Sequence, residues 1–212
     1  MRDLTYAERP AQGEADGLLI LHHGRGGDET QLLGLADALD RVRRLHVFLP
    51  RAPLTLPRQE GYHWFRVREV GHPDAETFQA GYSALCAFHD QVWQRSGIAP
   101  ERTVLGGFSM GCVMTYATGL GSGRPRPAGI LAFSGPIPTV DGWTPDLQSR
   151  AGMPVLIGHG RTDQAVRLEF ATRARTLLGD AGLEVTYCQS GGGHRIDERT
   201  VGRAIQWLAG VL

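Results

Sequence analysis

Short apolar runs alternate along the chain with segments that repeat apolar residues at helical spacing. The runs are almost wholly apolar and only a few residues long, which is typical of strands buried in a parallel sheet. They predict strands at residues 17–22, 45–49, 102–108, 128–133, 154–158 and 183–188. Residues 62–67 fit either a short strand or the end of the proline-rich loop before them.

The intervening segments have the apolar spacing of amphipathic helices. Helices are predicted at residues 29–44, 74–96, 110–118, 166–181 and 199–211. Regular alternation of strand and helix favours a doubly wound, mostly parallel α/β sheet flanked by helices. No repeat, low-complexity segment or linker interrupts the pattern, so we expect one domain over residues 1–212. The loops after the strands are short, which predicts an open groove without a large lid.

Composition narrows the class of protein. The formal net charge is zero and no basic patch is evident, so we expect no nucleic-acid partner. No apolar run approaches the roughly 20 residues of a membrane span, and the N-terminus lacks a signal-type apolar segment. A cytoplasmic protein without stable membrane insertion is expected. The three widely spaced cysteines predict free thiols, with Cys112 as a small core residue.

Polar or glycine-rich turns follow four of the predicted strands. The turns carry HGRGGD from residue 23, Ser109, HGRTD from residue 159 and GGGH from residue 191. In an open α/β sheet, ligands bind where the carboxyl ends of the strands meet the loops. The sequence therefore predicts a functional site at this edge of the sheet.

A serine, an acid and a histidine among these turns match the needs of nucleophilic catalysis. Ser109 lies in GGFSMG, where glycines leave room for a strained strand-to-helix turn called a nucleophile elbow. A serine hydroxyl needs a base near neutrality, and a histidine base needs a carboxylate that fixes its tautomer. The order Ser109, Asp163, His194 is that of the α/β-hydrolases. Asp28 is a competing acid, and Asp197 is a poorer one because it lies only three residues after His194.

Six motifs taken in order carry a resemblance to a known family. LILHHGRGGDE, FLPRAP, YHWF, GGFSMG, PVLIGHGRTD and GGGHRI extend from about residue 18 to residue 196. Together they resemble the phospholipase/carboxylesterase branch of the α/β-hydrolases, which includes acyl-protein thioesterases. The resemblance implies an α/β-hydrolase fold, with Ser109 as nucleophile, Asp163 as acid and His194 as base. It also implies an oxyanion hole formed by the backbone N–H groups of Arg25 and Met110.

The same resemblance suggests substrate contacts. The YHWF motif implies that Trp64 and Phe65 line an acyl pocket, although both also fit as ordinary core aromatics. Leu54 and Ile137 are weaker pocket candidates.

Three departures from the family pattern bear on the site. The family often continues the acid motif with Asp-Pro-Val-Val, whereas Gln, Ala and Val follow Asp163 in this chain, which leaves the turn less certain. Arg25 and Arg161 are longer and more charged than the pattern suggests, and one hypothesis is that they pair with a substrate carboxylate.

The sequence therefore predicts a serine carboxylesterase that hydrolyses esters of small or medium acyl chains through an acyl-enzyme, without a cofactor. An acyl thioesterase or lysophospholipase with the same residues is the alternative within enzymes. A dienelactone hydrolase is disfavoured because that group uses a cysteine nucleophile. A non-catalytic ligand-binding protein of this fold is the alternative outside enzymes. No compact metal-ligand set is present, and His22, His23 and His159 are interpreted as scaffold hydrogen-bonders. The family resemblance also allows a homodimer.

Overall fold

Residues 3–212 are described by a computed structural model whose centre is a seven-stranded sheet. The strands are β1 (Tyr6–Arg9), β2 (Gly17–His22), β3 (Leu45–Pro50), β4 (Val67–Glu69), β5 (His72–Pro73), β6 (Thr103–Phe108), β7 (Gly129–Phe133), β8 (Pro154–Gly160) and β9 (Glu184–Ser190). The helices are α1 (Leu33–Leu39), α2 (Ala75–Ser96), α3 (Met110–Leu120), α4 (Leu168–Asp180) and α5 (Glu198–Leu208).

The sheet has the order β1-β3-β2-β6-β7-β8-β9. β1 runs antiparallel to β3, and every other neighbouring pair in this sheet is parallel. β4 and β5 form a separate two-stranded hairpin. The predicted mostly parallel α/β architecture is confirmed.

Both faces of the sheet are covered by helices, which explains why its central strands are apolar throughout. Successive side chains of a strand point to opposite faces. On β2, Leu18 and Ile20 pack in the core that contains α2, α3 and α4, whereas Leu19 and Leu21 pack in the core that contains α1 and α5. All six residues of β2 are buried.

The helix predicted at residues 29–44 is wrong at both ends, since α1 covers only Leu33–Leu39. On the N-terminal side, the Asp28 side chain accepts hydrogen bonds from the backbone and hydroxyl of Thr30 and forms a turn. On the C-terminal side, the Asp40 carboxylate accepts from the backbone N–H groups of Arg44 and Leu45. These side-chain bonds offer the backbone an alternative to helix.

The sequence prediction lacks three short strands, β1, β4 and β5. Of the two alternatives for residues 62–67, the structure agrees with the end of the loop for residues 62–66, and Val67 begins β4. β1 is an edge strand whose polar residues are tied down by contacts distant in sequence, such as the ion pair between Arg9 and Asp40. β4 is exposed along its whole length, so it carries no apolar pattern. Tyr62 and His63 instead form isolated bridges with Gly27 and Leu54. The remaining predicted elements agree with the structure to within three residues at their ends.

Within residues 3–212, no helix has both the length and the apolar character needed to cross a membrane.

Candidate active site

Ser109 occupies a sharp turn between β6 and α3. Its backbone has φ 55° and ψ −117°, a strained conformation for a residue with a side chain. The flanking glycines are required by close packing: a Cβ on Gly107 would lie 2.4 Å from the carbonyl oxygen of Gly111, and one on Gly111 would lie 2.0 Å from that of His22. GGFSMG therefore forms a strained, closely packed strand-to-helix turn, which is the backbone shape that a nucleophile elbow requires.

A hydrogen-bonded chain joins the serine, the histidine and the acid. His194 Nε2 lies 2.9 Å from Ser109 Oγ, and His194 Nδ1 lies 2.8 Å from Asp163 Oδ2. The ionised carboxylate can only accept, so Nδ1–H donates to Asp163 and Nε2 accepts the proton of Ser109. Phe108 packs against the imidazole with ring centroids 4.8 Å apart. This arrangement can transfer a proton from Ser109 to His194.

Asp163 is fixed by its own turn. Its side chain is fully buried, and its Oδ1 accepts from the backbone N–H groups of Ala165 at 2.9 Å and Val166 at 2.8 Å. Those bonds leave Oδ2 for His194. They also hold the turn after Asp163 in order, although its sequence departs from the family motif. The rival acids serve elsewhere, since Asp28 binds Thr30 and Asp197 caps the N-terminus of α5.

A cavity of about 330 Å³ opens at Ser109 and His194. Arg25 and Met110 both line it, as the resemblance to the family implied. Their backbone N–H groups have no acceptor among the loop and turn hydrogen bonds of the described residues. Met110 also begins α3, and a helix N-terminus favours negative charge. Two backbone N–H groups that are not used in these bonds thus belong to residues at the cavity.

The loop that carries Arg25 is held in place by residues on two other segments, one with Gln31 and one with Tyr62 and Trp64. Gly24 N–H donates to Gln31 Oε1 at 2.7 Å, Gly26 N–H donates to Tyr62 O at 3.0 Å, and Trp64 Nε1–H donates to His23 O at 3.0 Å. Sequence reasoning missed Gln31, because nothing in the local pattern indicates that it turns back toward Gly24.

The four residues predicted to line the pocket lie in different places in the structure. Phe65 lines the Ser109 cavity. Trp64 is fully buried and is not among the residues that line it. Its backbone N–H donates to the sulfur of Met110 and its Nε1–H donates to His23 O, so it supports both the start of α3 and the loop that carries Arg25. Leu54 lies at the bridge with His63, and Ile137 lines a separate cavity beside α4. Of the four, only Phe65 is among the described residues that line the cavity at Ser109.

The β4–β5 hairpin supplies a wall that sequence reasoning missed. Residues 67–73 contribute Val67, Val70 and Pro73 to the cavity, opposite Phe108 and Val113. Val67 and Val70 are 40% and 37% exposed, respectively, which is high for large apolar side chains and matches a role facing a ligand. The only local signal would have been the pair of valines in an otherwise charged segment.

The other histidines near the site hold the scaffold, as predicted. His23 Nδ1–H donates to Gly24 O, and its Nε2 accepts from Ala52 N–H. His159 Nε2–H donates to Val166 O at 2.8 Å, beside the buried carboxylate of Asp163. The described part of the chain contains no cluster of three or more His, Cys, Asp or Glu placed to hold a metal ion. The three cysteines are buried free thiols.

Two fully buried histidines lie behind the elbow. Thr115 Oγ1–H donates to Gly111 O, so Oγ1 accepts from His22 Nδ1–H at 2.7 Å. His22 Nε2 then accepts from His89 Nε2–H at 3.1 Å. Burial lowers the pKa of His22 to about 3 and also lowers that of His89. Both rings are therefore neutral at physiological pH.

Comparison with known proteins identifies the family of this chain. The model of the phospholipase/carboxylesterase family matches residues 8–212. Acyl-protein thioesterase 1 of Neurospora crassa is 32% identical over 199 residues, which cover 84% of this chain and 79% of the relative. Acyl-protein thioesterase 1 of Debaryomyces hansenii is 24% identical over 217 residues, with 93% and 92% covered.

Solved structures show the same architecture. The crystal structure of esterase PE8 superposes with a TM-score of 0.84 at 28% identity and covers all of both chains. The carboxylesterase from Mesorhizobium loti gives a TM-score of 0.80 at 27% identity, covering 97% of this chain and 94% of that one. With the family model matched over nearly the whole chain, this protein belongs to the phospholipase/carboxylesterase family of α/β-hydrolases.

Proposed function

We propose that this protein is a serine carboxylesterase in which Ser109, His194 and Asp163 form the catalytic triad. The observation that carries the proposal is the position of His194, whose ring nitrogens lie 2.9 Å from Ser109 Oγ and 2.8 Å from Asp163 Oδ2 at an open cavity. This geometry pairs a nucleophile with a base, and the base with a group that orients it.

The proposed reaction has two halves. Ser109 Oγ attacks the ester carbonyl while its proton passes to His194 Nε2. Asp163 stabilises the imidazolium and keeps its Nδ1–H in place. The backbone N–H groups of Arg25 and Met110 bind the oxyanion, a contribution of about 3 kcal/mol for each donor. His194 then protonates the leaving alcohol, and a water activated by His194 hydrolyses the acyl-enzyme with Ser109 as the leaving group.

The size of the cavity supports esters of small or medium acyl chains. About 330 Å³ lies at the small end of the range for small-molecule sites, and Phe65, Val67 and Val113 make its wall largely apolar. Thioesters are the second candidate substrate, because the curated relatives in N. crassa and D. hansenii are named acyl-protein thioesterases. The proposed triad would act on esters and thioesters, since His194 can protonate either an alkoxide or a thiolate as the leaving group.

Turnover of a p-nitrophenyl ester series from acetate to palmitate tests the proposal. Wild type should hydrolyse the shorter members, and Ser109→Ala should lose about three or more orders of magnitude in kcat/KM. Ser134→Ala is a matched control, because Ser134 also follows a central strand, is buried and has a positive φ of 51°, whereas the ring of His194 bonds to Ser109 and Asp163. It should retain activity.

Two outcomes would contradict the proposal. Equal activity of wild type and Ser109→Ala would mean that Ser109 is not the nucleophile. No activity toward esters or acyl thioesters, combined with ligand binding at the cavity, would favour the non-catalytic binding protein.

A further inference from the structure

The cavity at Ser109 adjoins a second cavity that carries unpaired positive charge. This second cavity, called here the arginine cavity, has a volume of about 320 Å³ and is lined by Arg25, Leu56, Pro57, Gln59, Phe65, Arg66 and Val67. Arg25, Phe65 and Val67 line the Ser109 cavity as well. A ligand that occupies the first cavity can therefore extend past Phe65 into the second.

Arg25 and Arg66 differ from the arginines around them. Arg51 pairs with Glu29, and Arg68 pairs with Asp74. Within residues 3–212, by contrast, the guanidinium groups of Arg25 and Arg66 form none of the ion pairs. The side chain of Arg25 donates instead to the neutral Oε1 of Gln59 at 2.7 Å. Two positive charges thus border one cavity without internal compensation.

Within residues 3–212, no carboxylate lines the arginine cavity, and the carboxylate of Asp74, whose backbone N–H donates to Arg66 O, pairs with Arg68. Glu60 is the only acidic residue between Arg51 and Arg66 in the sequence, and it lines neither cavity. Glu69 lines the Ser109 cavity but not the arginine cavity. The field therefore attracts an anion to the end formed by Arg25 and Arg66. A guanidinium binds carboxylates well, because its planar N–H groups match the two oxygens.

We propose that the arginine cavity binds a carboxylate carried by the substrate, so that the protein prefers esters with a negative charge several bonds from the scissile carbonyl. The cleavage step rests on the proposed function, whereas anion binding does not. The structure also revises the pair of arginines that the sequence suggested. Arg25 remains, Arg66 joins it, and Arg161 lines neither cavity.

Matched esters measure this preference directly. For an acyl-side carboxylate, the pair is the p-nitrophenyl half-ester of adipic acid and its neutral methyl ester. For a leaving-group carboxylate, the pair is 4-carboxyphenyl hexanoate and its methyl ester. Wild type should show a higher kcat/KM for the charged member of one pair, and the pair that responds identifies which part of the substrate enters the arginine cavity.

Variants and salt separate the arginine cavity from general electrostatics. Arg66→Gln should reduce the charged-to-neutral ratio by roughly two- to fivefold, as expected for a partly exposed charge pair. Arg161→Gln removes the same charge outside both cavities and should leave the ratio unchanged. Raising NaCl from about 0.01 M to about 1 M, which shortens the Debye length from about 30 Å to about 3 Å, should move the wild-type ratio toward one.

Equilibrium binding keeps this test independent of catalysis. The Ser109→Ala protein should bind the adipate half-ester more tightly than its methyl ester by calorimetry, and Arg66→Gln in that background should reduce the difference in affinity by roughly two- to fivefold. A ratio near one for wild type in both pairs, or an unchanged ratio in Arg66→Gln, would overturn the proposal. Neutral esters that are not cleaved at all, together with retained selective binding, would refute the esterase function and leave the anion site standing.

Discussion

The carbonyl oxygen of His22 lies so close to Gly111 that a Cβ added there would be 2.0 Å from it. This contact joins the end of β2 to the first turn of α3. It places the loop that begins at His23 beside Ser109, so the two segments that carry the proposed oxyanion donors meet at this point. The second glycine of the elbow is thus a packing requirement rather than a mere turn residue.

Substitution of this glycine should damage both stability and activity. Gly111→Ala forces backbone away from backbone, so we expect a loss of at least ~1–3 kcal/mol in the free energy of unfolding and a fall in kcat/KM. Gly202→Ala is the matched control, because Gly202 lies in α5 with open space around its Cα. It should stabilise the protein by about 0.5–1 kcal/mol in urea unfolding. An unaffected Gly111→Ala would refute the close packing.

Asp163→Asn should lower kcat by about 10⁴-fold with little change in fold. The retained oxygen would keep its bonds to the N–H groups of Ala165 and Val166, so the new amide would face His194 Nδ1 and favour the wrong tautomer. Ester turnover and thermal unfolding should be compared with Asp28→Asn, whose carboxylate binds only Thr30. A fully active Asp163→Asn would disprove the proposed role of Asp163. An inactive Asp28→Asn would indicate that Asp28 is the acid of the triad instead.

Stability should fall as the pH is lowered below about 6.5. Burial depresses the pKa of His22 to about 3, so between pH 6.5 and 3 the unfolded chain binds a proton that the folded chain excludes. The contribution of the buried neutral histidine to the free energy of unfolding is therefore complete above the unfolded pKa and decreases toward acid. The decrease is up to ~1.4 kcal/mol per pH unit for each such histidine. His89, with its pKa also lowered, adds to the slope.

Urea unfolding between pH 8 and pH 5 checks this, because ordinary carboxylates titrate mainly below that range. His22→Asn should show a shallower dependence than wild type, whereas His72→Gln, on the exposed hairpin, should not. A wild-type stability that is flat from pH 8 to pH 5 would contradict the neutral buried pair.

Neighbouring aromatics should give different phenotypes. Trp64→Phe removes the donor to His23 O in the loop that carries Arg25, one of the two proposed oxyanion donors, so we expect kcat/KM to fall to a similar extent for all acyl chains. Phe65→Leu changes the cavity wall, so we expect a shift in the preferred chain length. The p-nitrophenyl ester series distinguishes the two effects. If only Trp64→Phe changed the preferred acyl-chain length, the roles assigned to Trp64 and Phe65 would be reversed.

Local patterns predicted most of the fold because the strands are buried on both faces. A strand such as β2 must be apolar throughout, and that run is visible in the sequence. β4 is exposed and β1 lies at the edge of the sheet, so neither requires such a run. The end of α1 depends on side-chain bonds from Asp40, which hydrophobic spacing does not register.

The sequence by itself determined the chemistry of the candidate site, since GGFSMG and the order of Ser109, Asp163 and His194 indicate the elbow and its partners. Only the tertiary structure decided which residues share a cavity. Phe65 lines the cavity, whereas Trp64 is bonded to His23 O and the sulfur of Met110. Arg66 rather than Arg161 borders the same space as Arg25. Such neighbours are distant in sequence and are brought together by the burial of the sheet, which no local pattern encodes.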